Sequence, residues 1–434
     1  MFTFKGYLLL IFTFLISLVP YLTDTGLGLL RVVDLVLLFI FVYDYRAAPY
    51  KEQISITRET PRVFAIGEAN EVIIKVQNSS FRTAILFIRD EYPSSMDIQV
   101  SHDFTIKIAP KGTGSFTYQL IPENRGDYSF GPIHYRSRGP LGLINRDGKV
   151  EAPWELRVYP HIPRAHEAHL LITRGIGQRT YPISIRGGSR EFESVKDYVI
   201  GDEYKGINWK ATARRGRFMS NQYQDQRDQD VLIALDCGRS MQTSLGKLKR
   251  IDHAVNSAYL LANGILQKGD NVGLVSFGVE TEGLVPLGKG RSYLKNILIG
   301  LYNIQAQYLQ TDYTELLKIA SRRLNRRTLI VVFSEVDTPE SAELIVPVFQ
   351  ELGKRHLVVL VALNDPKLKE ETKKEIKIPF DIYLRASALD LMQTREKALK
   401  LLKKSGCIVV DSSPYDAPID TLTAYLGLKR KGLI

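Results

Sequence analysis

The chain has 434 residues, 44% of them apolar and 24% charged. That balance supports a sizeable core and excludes a disordered, collagen-like or disulfide-scaffold chain. Basic residues exceed acidic ones by 58 − 47 = +11, which suits an acidic surface such as anionic lipid, an acidic partner or nucleic acid. The two cysteines, Cys237 and Cys407, lack metal-ligand spacing, so no disulfide framework is expected and a reducing compartment is favoured.

Two apolar runs open the chain, Gly6 to Leu22 and Leu27 to Tyr45. Each has about the length that crosses a ~30 Å hydrocarbon layer. Thr23-Asp24-Thr25-Gly26 between them has turn chemistry. Lys5 precedes the runs, and Arg46 and Lys51 follow them. The positive-inside rule then places both ends on the cytoplasmic side. The expectation is a transmembrane helical hairpin over 1–46 in the cytoplasmic (inner) membrane, with the soluble domains facing the cytoplasm and the lipid bilayer as a partner. A signal peptide is the rival reading, but no small-residue cleavage site follows the first run. Arg31 and Asp34 read either as an intramembrane polar pair or as snorkelling side chains.

Residues 47–160 alternate in strand fashion, as in EVIIKVQN, TAILFIRDEYP and GSFTYQLIP, with turn residues every 8–15 positions. This spacing predicts an antiparallel, Ig-like β-sandwich of about seven strands with no catalytic set. Residues 161–227 read as a linker block. Its His161, His166 and His169 fit one helical face poorly, so a solvated linker suits them better than a metal site. Gly187-Gly188 lacks the Lys-Ser/Thr of a phosphate loop. Arg214 and Arg215, with Arg217, cluster near Trp209. Trp209, Arg214 and Arg215 are candidates for binding phosphate or an acidic partner, and a solvated turn is the plainer alternative.

From 228 to 434, continuous apolar strands alternate with helices: DVLIALD, NVGLVSFG, TLIVVFSEVD, HLVVLVAL and CIVVDSS. The pattern predicts a doubly wound α/β domain around a parallel sheet. Ligands of such sheets bind at the carboxyl ends of the strands, where Asp236, Ser240, Glu335 and Asp337 fall. These are hard oxygen donors suited to Mg²⁺, or else cap residues and solvated acids.

The ordered blocks GGSREFESVKDY, GDEYKGINWKATARR and LDCGRSM resemble the bacterial "domain of unknown function fifty-eight" family, and RGDYSFGPIHYRSRGPLGL resembles its upstream sandwich. The resemblance implies a von Willebrand factor A-like domain from about 228 onward, an N-terminal membrane anchor and a MoxR-type AAA+ ATPase as partner. It also implies a metal-ion-dependent adhesion site of the pattern D-x-S-x-S with a Thr and a further Asp. Here Asp236 and Ser240 match, Gly238 replaces the first Ser, the Thr is Thr311 or Thr314, and Glu335 stands for the later Asp. The site is therefore degenerate, with Mg²⁺ as its only candidate cofactor.

The function expected on these grounds is a protein-interaction (adaptor or assembly) role rather than catalysis. The alternative is a metal-dependent hydrolase using Asp236 and Glu335. No G-x-S-x-G or H-E-x-x-H occurs, and Cys237 has no evident His base. Basic residues are spread along the chain without a binding motif, so no nucleic acid is expected.

Overall fold

Side chains alternate inward and outward along β1 (Ile54–Glu59), burying Ile54, Ile56 and Arg58, as a half-buried strand requires. The structure, a computed structural model, describes residues 2–23, 27–98, 103–161, 191–199, 204–224 and 228–434. It divides into two compact units, Met1–His161 and Ile162–Ile434. In the first unit β1 is followed by β2 (Val63–Ala65), β3 (Asn70–Asn78), β4 (Ala84–Asp90), β5 (Met96–Ile98), β6 (Asp103–Ile108), β7 (Thr113–Pro122), β8 (Gly126–Phe130), β9 (Ile133–Arg138), β10 (Asn145–Val150) and β11 (Trp154–Tyr159). They form sheets in the orders β1-β3-β7-β5, β10-β9-β4-β6 and β2-β11-β8. Eleven strands are described where about seven are expected; β2 and β5, at three residues each, are two of the additional ones and leave no alternation to read.

A buried ion pair cross-braces this unit. The Arg58 guanidinium is bidentate on Asp90, its Nε donating at 3.0 Å, and it also donates to the carbonyls of Ala152 at 2.6 Å and Gly131 at 2.9 Å. The Tyr118 hydroxyl donates to the same carboxylate at 2.5 Å.

Two helices precede the strands, α1 (Phe4–Thr23) and α2 (Leu27–Ala47). Among the described residues no helix is long and apolar enough to cross a membrane. This overturns the transmembrane hairpin over 1–46 and the inner-membrane placement built on it. The physical reason is clearest in α2, where any stretch of 18 residues contains at least three of Arg31, Asp34, Asp44 and Arg46. Asp44 is fully buried and accepts from the backbone N–H groups of Leu141, Leu143 and Ile144 at 2.7–2.9 Å. The start of the chain is held by the same turn, Thr3 N–H donating to the Leu143 carbonyl at 2.9 Å. Gly139 permits the close approach, since a Cβ there would lie 2.4 Å from the Asp44 carboxylate. The turn residues 24–26 and the side chains of Arg31 and Asp34 lie outside the described part.

The second unit opens with a small module. Here β12 (Glu191–Asp197) pairs antiparallel with β13 (Met219–Gln224), and α3 (Trp209–Arg215) lies between them in sequence. Asn208 caps α3 by accepting from Ala211 N–H at 2.9 Å. The remainder is an α/β domain. Its strands are β14 (Asp230–Asp236), the two-residue pieces β15 (Ser244–Leu245) and β16 (Leu248–Lys249), β17 (Asn271–Phe277), β18 (Thr281–Gly288), β19 (Leu329–Phe333), β20 (Leu357–Leu363) and β21 (Ile408–Ser412). Its helices are α4 (Arg250–Gln267), α5 (Leu294–Tyr302), α6 (Tyr313–Arg323), α7 (Pro339–Gly353), α8 (Pro366–Lys373), α9 (Pro379–Lys404) and α10 (Ala417–Arg430).

The main sheet runs β18-β17-β14-β19-β20-β21, parallel except for the edge strand β18. Successive strand residues serve opposite faces. Val231, Ile233 and Leu235 pack with α4, α5 and α10, whereas Leu232 and Ala234 pack with α6, α7 and α9. Burial on both faces explains the unbroken apolar runs. The chain lays β17 on one side of β14 and β19 on the other. That reversal makes the carboxyl ends of β14 and β19 the switch point of the sheet, the place where sheets of this kind bind ligands.

On α4, His253 is 6% exposed with Nε2 donating to the Leu245 carbonyl at 3.0 Å, and burial lowers its pKa. The unfolded chain therefore binds this proton more readily than the folded one. Stability should be level above neutral pH and fall as pH drops through about 6.5, the unfolded value. Melting temperatures measured between pH 7.5 and 5.5 should decline less in His253→Gln than in the native chain.

Candidate functional site

At the end of β14 the strand places Asp236 at this switch point, with no solvent exposure. The Gly238 N–H donates to its Oδ1 at 2.8 Å and the Thr311 hydroxyl at 2.5 Å. On Oδ2 it meets the Ser334 hydroxyl at 2.5 Å and the Tyr313 hydroxyl at 3.1 Å. Those two hydroxyls also touch each other at 2.8 Å. Two hydroxyl protons thus serve three contacts, so the triangle closes fully only when Asp236 carries a proton. Burial favours that form, raising the carboxyl pKa against the pull of its four hydrogen bonds.

Gly238 is required for a steric reason. A Cβ there would lie 1.9 Å from the Thr311 hydroxyl oxygen and 3.1 Å from Asp236 Oδ1. The space that a serine would use is taken by Thr311. Thr314, the other candidate threonine, is exposed and donates to Asp312 at 2.6 Å, inside the cap that starts α6.

Glu335 belongs to a second, adjoining cluster. It is fully buried in its side chain, accepts from Arg395 Nε at 2.8 Å and from the Leu363 N–H at 2.9 Å, and lies 3.8 Å from Arg250 Nε. Burial pushes its pKa up, and the charges of Arg395 and Arg250 oppose the shift. Arg395 also donates to Asp411 at 3.0 Å. Arg250, 5% exposed, donates to the Ser240 carbonyl at 2.9 Å and faces Asp337 at 3.8 Å. Ser240 therefore enters the site through its backbone.

These residues do not fit a bound Mg²⁺. Such an ion needs ionised, available oxygens in near-octahedral array. Asp236 has both oxygens occupied by hydrogen-bond donors, Gly238 brings no hydroxyl, and Glu335 is already paired with arginine. Among the described residues, no three His, Cys, Asp or Glu side chains gather as a metal-holding group. The same occupancy leaves Asp236 and Glu335 poorly placed for the hydrolase reading, because neither carboxylate has a face open to substrate or water.

Above the Asp236 cluster, the segment between α5 and α6 is clamped by backbone hydrogen bonds. Gln307 N–H donates to the Cys237 carbonyl at 2.6 Å, Arg239 N–H to Leu309 at 2.8 Å and Asp312 N–H to Gly278 at 2.8 Å. The clamp holds Tyr308 at 80% and Leu309 at 56% exposure, beside the exposed Arg239.

Trp209, Arg214 and Arg215 are exposed on α3, and none is a hydrogen-bond or ion-pair partner of Asp236 or Glu335. Trp209 meets Phe218 edge-on, with ring centroids 6.4 Å apart. His161 pairs with Glu68 at 3.3 Å, whereas His166, His169 and Gly187-Gly188 lie outside the described residues. Sequence reasoning missed Tyr313, Ser334, Arg250 and Arg395.

Residues 194–373 match the model of the family described as "Protein of unknown function DUF58". The match supports the DUF58 family. It runs from β12 to the end of α8 and so includes every residue of the Asp236 cluster. The chain is also 24% identical over 195 residues to "Uncharacterized protein YeaD" of Bacillus subtilis (strain 168), covering 43% of this chain and 45% of that one. Among solved structures, proximal thread matrix protein 1 from the mussel byssus is similar at 12% identity and a TM-score of 0.28, over 47% of this chain and 48% of that one. The CARDB domain of PF1109 from Pyrococcus furiosus is similar at 15% identity and a TM-score of 0.19, over 24% of this chain and 86% of that one. Likeness at this level assigns neither fold nor function.

Proposed function

We propose that the second unit is a protein-docking module: a von Willebrand factor A-like carboxyl edge with a degenerate adhesion site, serving an adaptor or assembly role. The observation that carries this reading is the pairing of a rigid base with an exposed apolar rim. Tyr308 and Leu309 stand in solvent beside Arg239, on a segment fixed by three backbone hydrogen bonds over the buried Asp236 cluster. Tyr and Arg are residue types that dominate binding energy at interfaces, and a preordered segment loses little freedom on docking.

The family resemblance makes a MoxR-type AAA+ ATPase the partner to test first. This sequence carries no phosphate loop, so nucleotide chemistry would belong to that partner. Binding of the purified full chain to the purified ATPase of the same organism should be measured by surface-immobilised kinetics. Tyr308→Ala should weaken it at least tenfold, the scale of a hot-spot truncation of about 1.4 kcal/mol or more, while Trp209→Ala changes it little. Equal binding by all three chains would remove the rim from the interface.

A further inference from the structure

We infer that Arg250 is the built-in cation of the carboxyl-edge site, so that an internal guanidinium ties the loop after β14 to the acids after β19 with no metal ion. The oxygens gathered around it are those that would otherwise draw a divalent cation: the Ser240 carbonyl, which accepts at 2.9 Å, and the carboxylates of Glu335 and Asp337, ion-paired with it at 3.8 Å each. They come from separate parts of the chain, so whatever cation sits among them sets the loop's position. Arg250 is suited to this because guanidinium stays charged and its planar fork offers five donors in fixed directions. It is the first residue of α4, and its own N–H donates to the Thr243 carbonyl at 2.8 Å. The cation is therefore delivered by a rigid element and pinned at both its backbone and its side chain.

Arg395 completes the arrangement from the other side. It takes Glu335 Oε1 at 2.8 Å and Asp411 at 3.0 Å, while the Leu363 N–H takes Glu335 Oε2 at 2.9 Å. A divalent ion entering this cluster would meet the buried charge of Arg250, the half-buried charge of Arg395 and a carboxylate already bonded through both oxygens. In a low-dielectric interior, that repulsion outweighs what the remaining oxygens offer. This chemistry of the edge is independent of which protein docks there.

The test uses the full chain and Mn²⁺ as the probe. Native protein should show no saturable Mn²⁺ binding by electron paramagnetic resonance, and its melting temperature should be the same in excess Mg²⁺, in Mn²⁺ and in EDTA. Arg250→Met should lower the melting temperature by about 10 °C, whereas Arg239→Met, at a neighbouring exposed arginine, should leave it unchanged. Saturable Mn²⁺ binding by the native chain that is lost in Asp236→Ala would overturn the inference without reference to any variant at Arg250. So would an Arg250→Met protein as stable as the native one. Loss of partner binding in Tyr308→Ala bears only on the docking reading, so the two can fail separately.

Discussion

Gly238→Ser, the substitution that completes the D-x-S-x-S pattern, is expected to destabilise the second unit by roughly 2–4 kcal/mol and to confer no metal binding. Glycine is not needed here for its backbone, since φ is −78°, a value open to any residue. It is needed for space, because the new Cβ would lie 1.9 Å from the Thr311 hydroxyl. Thr311 would have to leave, giving up its 2.5 Å bond to a carboxyl group with no solvent contact. A buried acceptor that loses its donor is penalised by about 1–3 kcal/mol, in addition to the overpacking. The check is a double-mutant cycle by urea denaturation. Thr311→Ala removes the clashing hydroxyl, so Gly238→Ser made in that background should cost at least about 1 kcal/mol less than in the native chain. Additive effects would show that glycine and threonine do not share this space.

The parts of the fold legible in sequence are those whose burial leaves a pattern. Strands β14, β17, β19 and β20 lie inside the sheet with helices on both faces, so nearly every residue is apolar and each strand stands out. The edge strand β18 is not among the strands expected from sequence, because TEGLVPLG contains Pro286 and two glycines, residues that mark turns more often than strands. The first half of α9 leaves no pattern for a different reason. Phe380, Ile382, Tyr383 and Leu384 are each at least 41% exposed, so its apolar residues trace no buried face.

The site divides the same way. Asp236 is legible because an acid ending an apolar strand has few other roles. Thr311 and Thr314 cannot be separated by spacing, although Asp312 two residues before Thr314 is a cap pattern that assigns Thr314 to the helix start. Arg250 and Arg395 are illegible. Each lies in a highly charged helical stretch, KLKRIDH and QTREKALK, where a solvated face is the ordinary outcome. Only the fold brings them to Glu335. The consequence for function is that a motif match at Asp236 and Ser240 overstates the resemblance, because the arginines that replace the ion lie outside the motif.

Arg58→Ala should cost about 3–5 kcal/mol, the largest loss expected for a single side chain in the first unit. The change would leave the Asp90 carboxylate, 3% exposed, with the Tyr118 hydroxyl but no countercharge. It would also free the carbonyls of Gly131 and Ala152, which join β1 to the segments after β8 and before β11. Most of the penalty comes from the stranded charge rather than from the lost attraction, because a buried pair replaced as a pair is often close to neutral. Arg58→Met combined with Asp90→Leu should accordingly recover much of the stability that Arg58→Met alone loses. Urea unfolding of the full chain, followed through the tyrosine and tryptophan signals of residues 1–161, distinguishes the two origins. If the double variant is as unstable as the single one, the guanidinium acts through its carbonyl contacts and the charge pair is incidental.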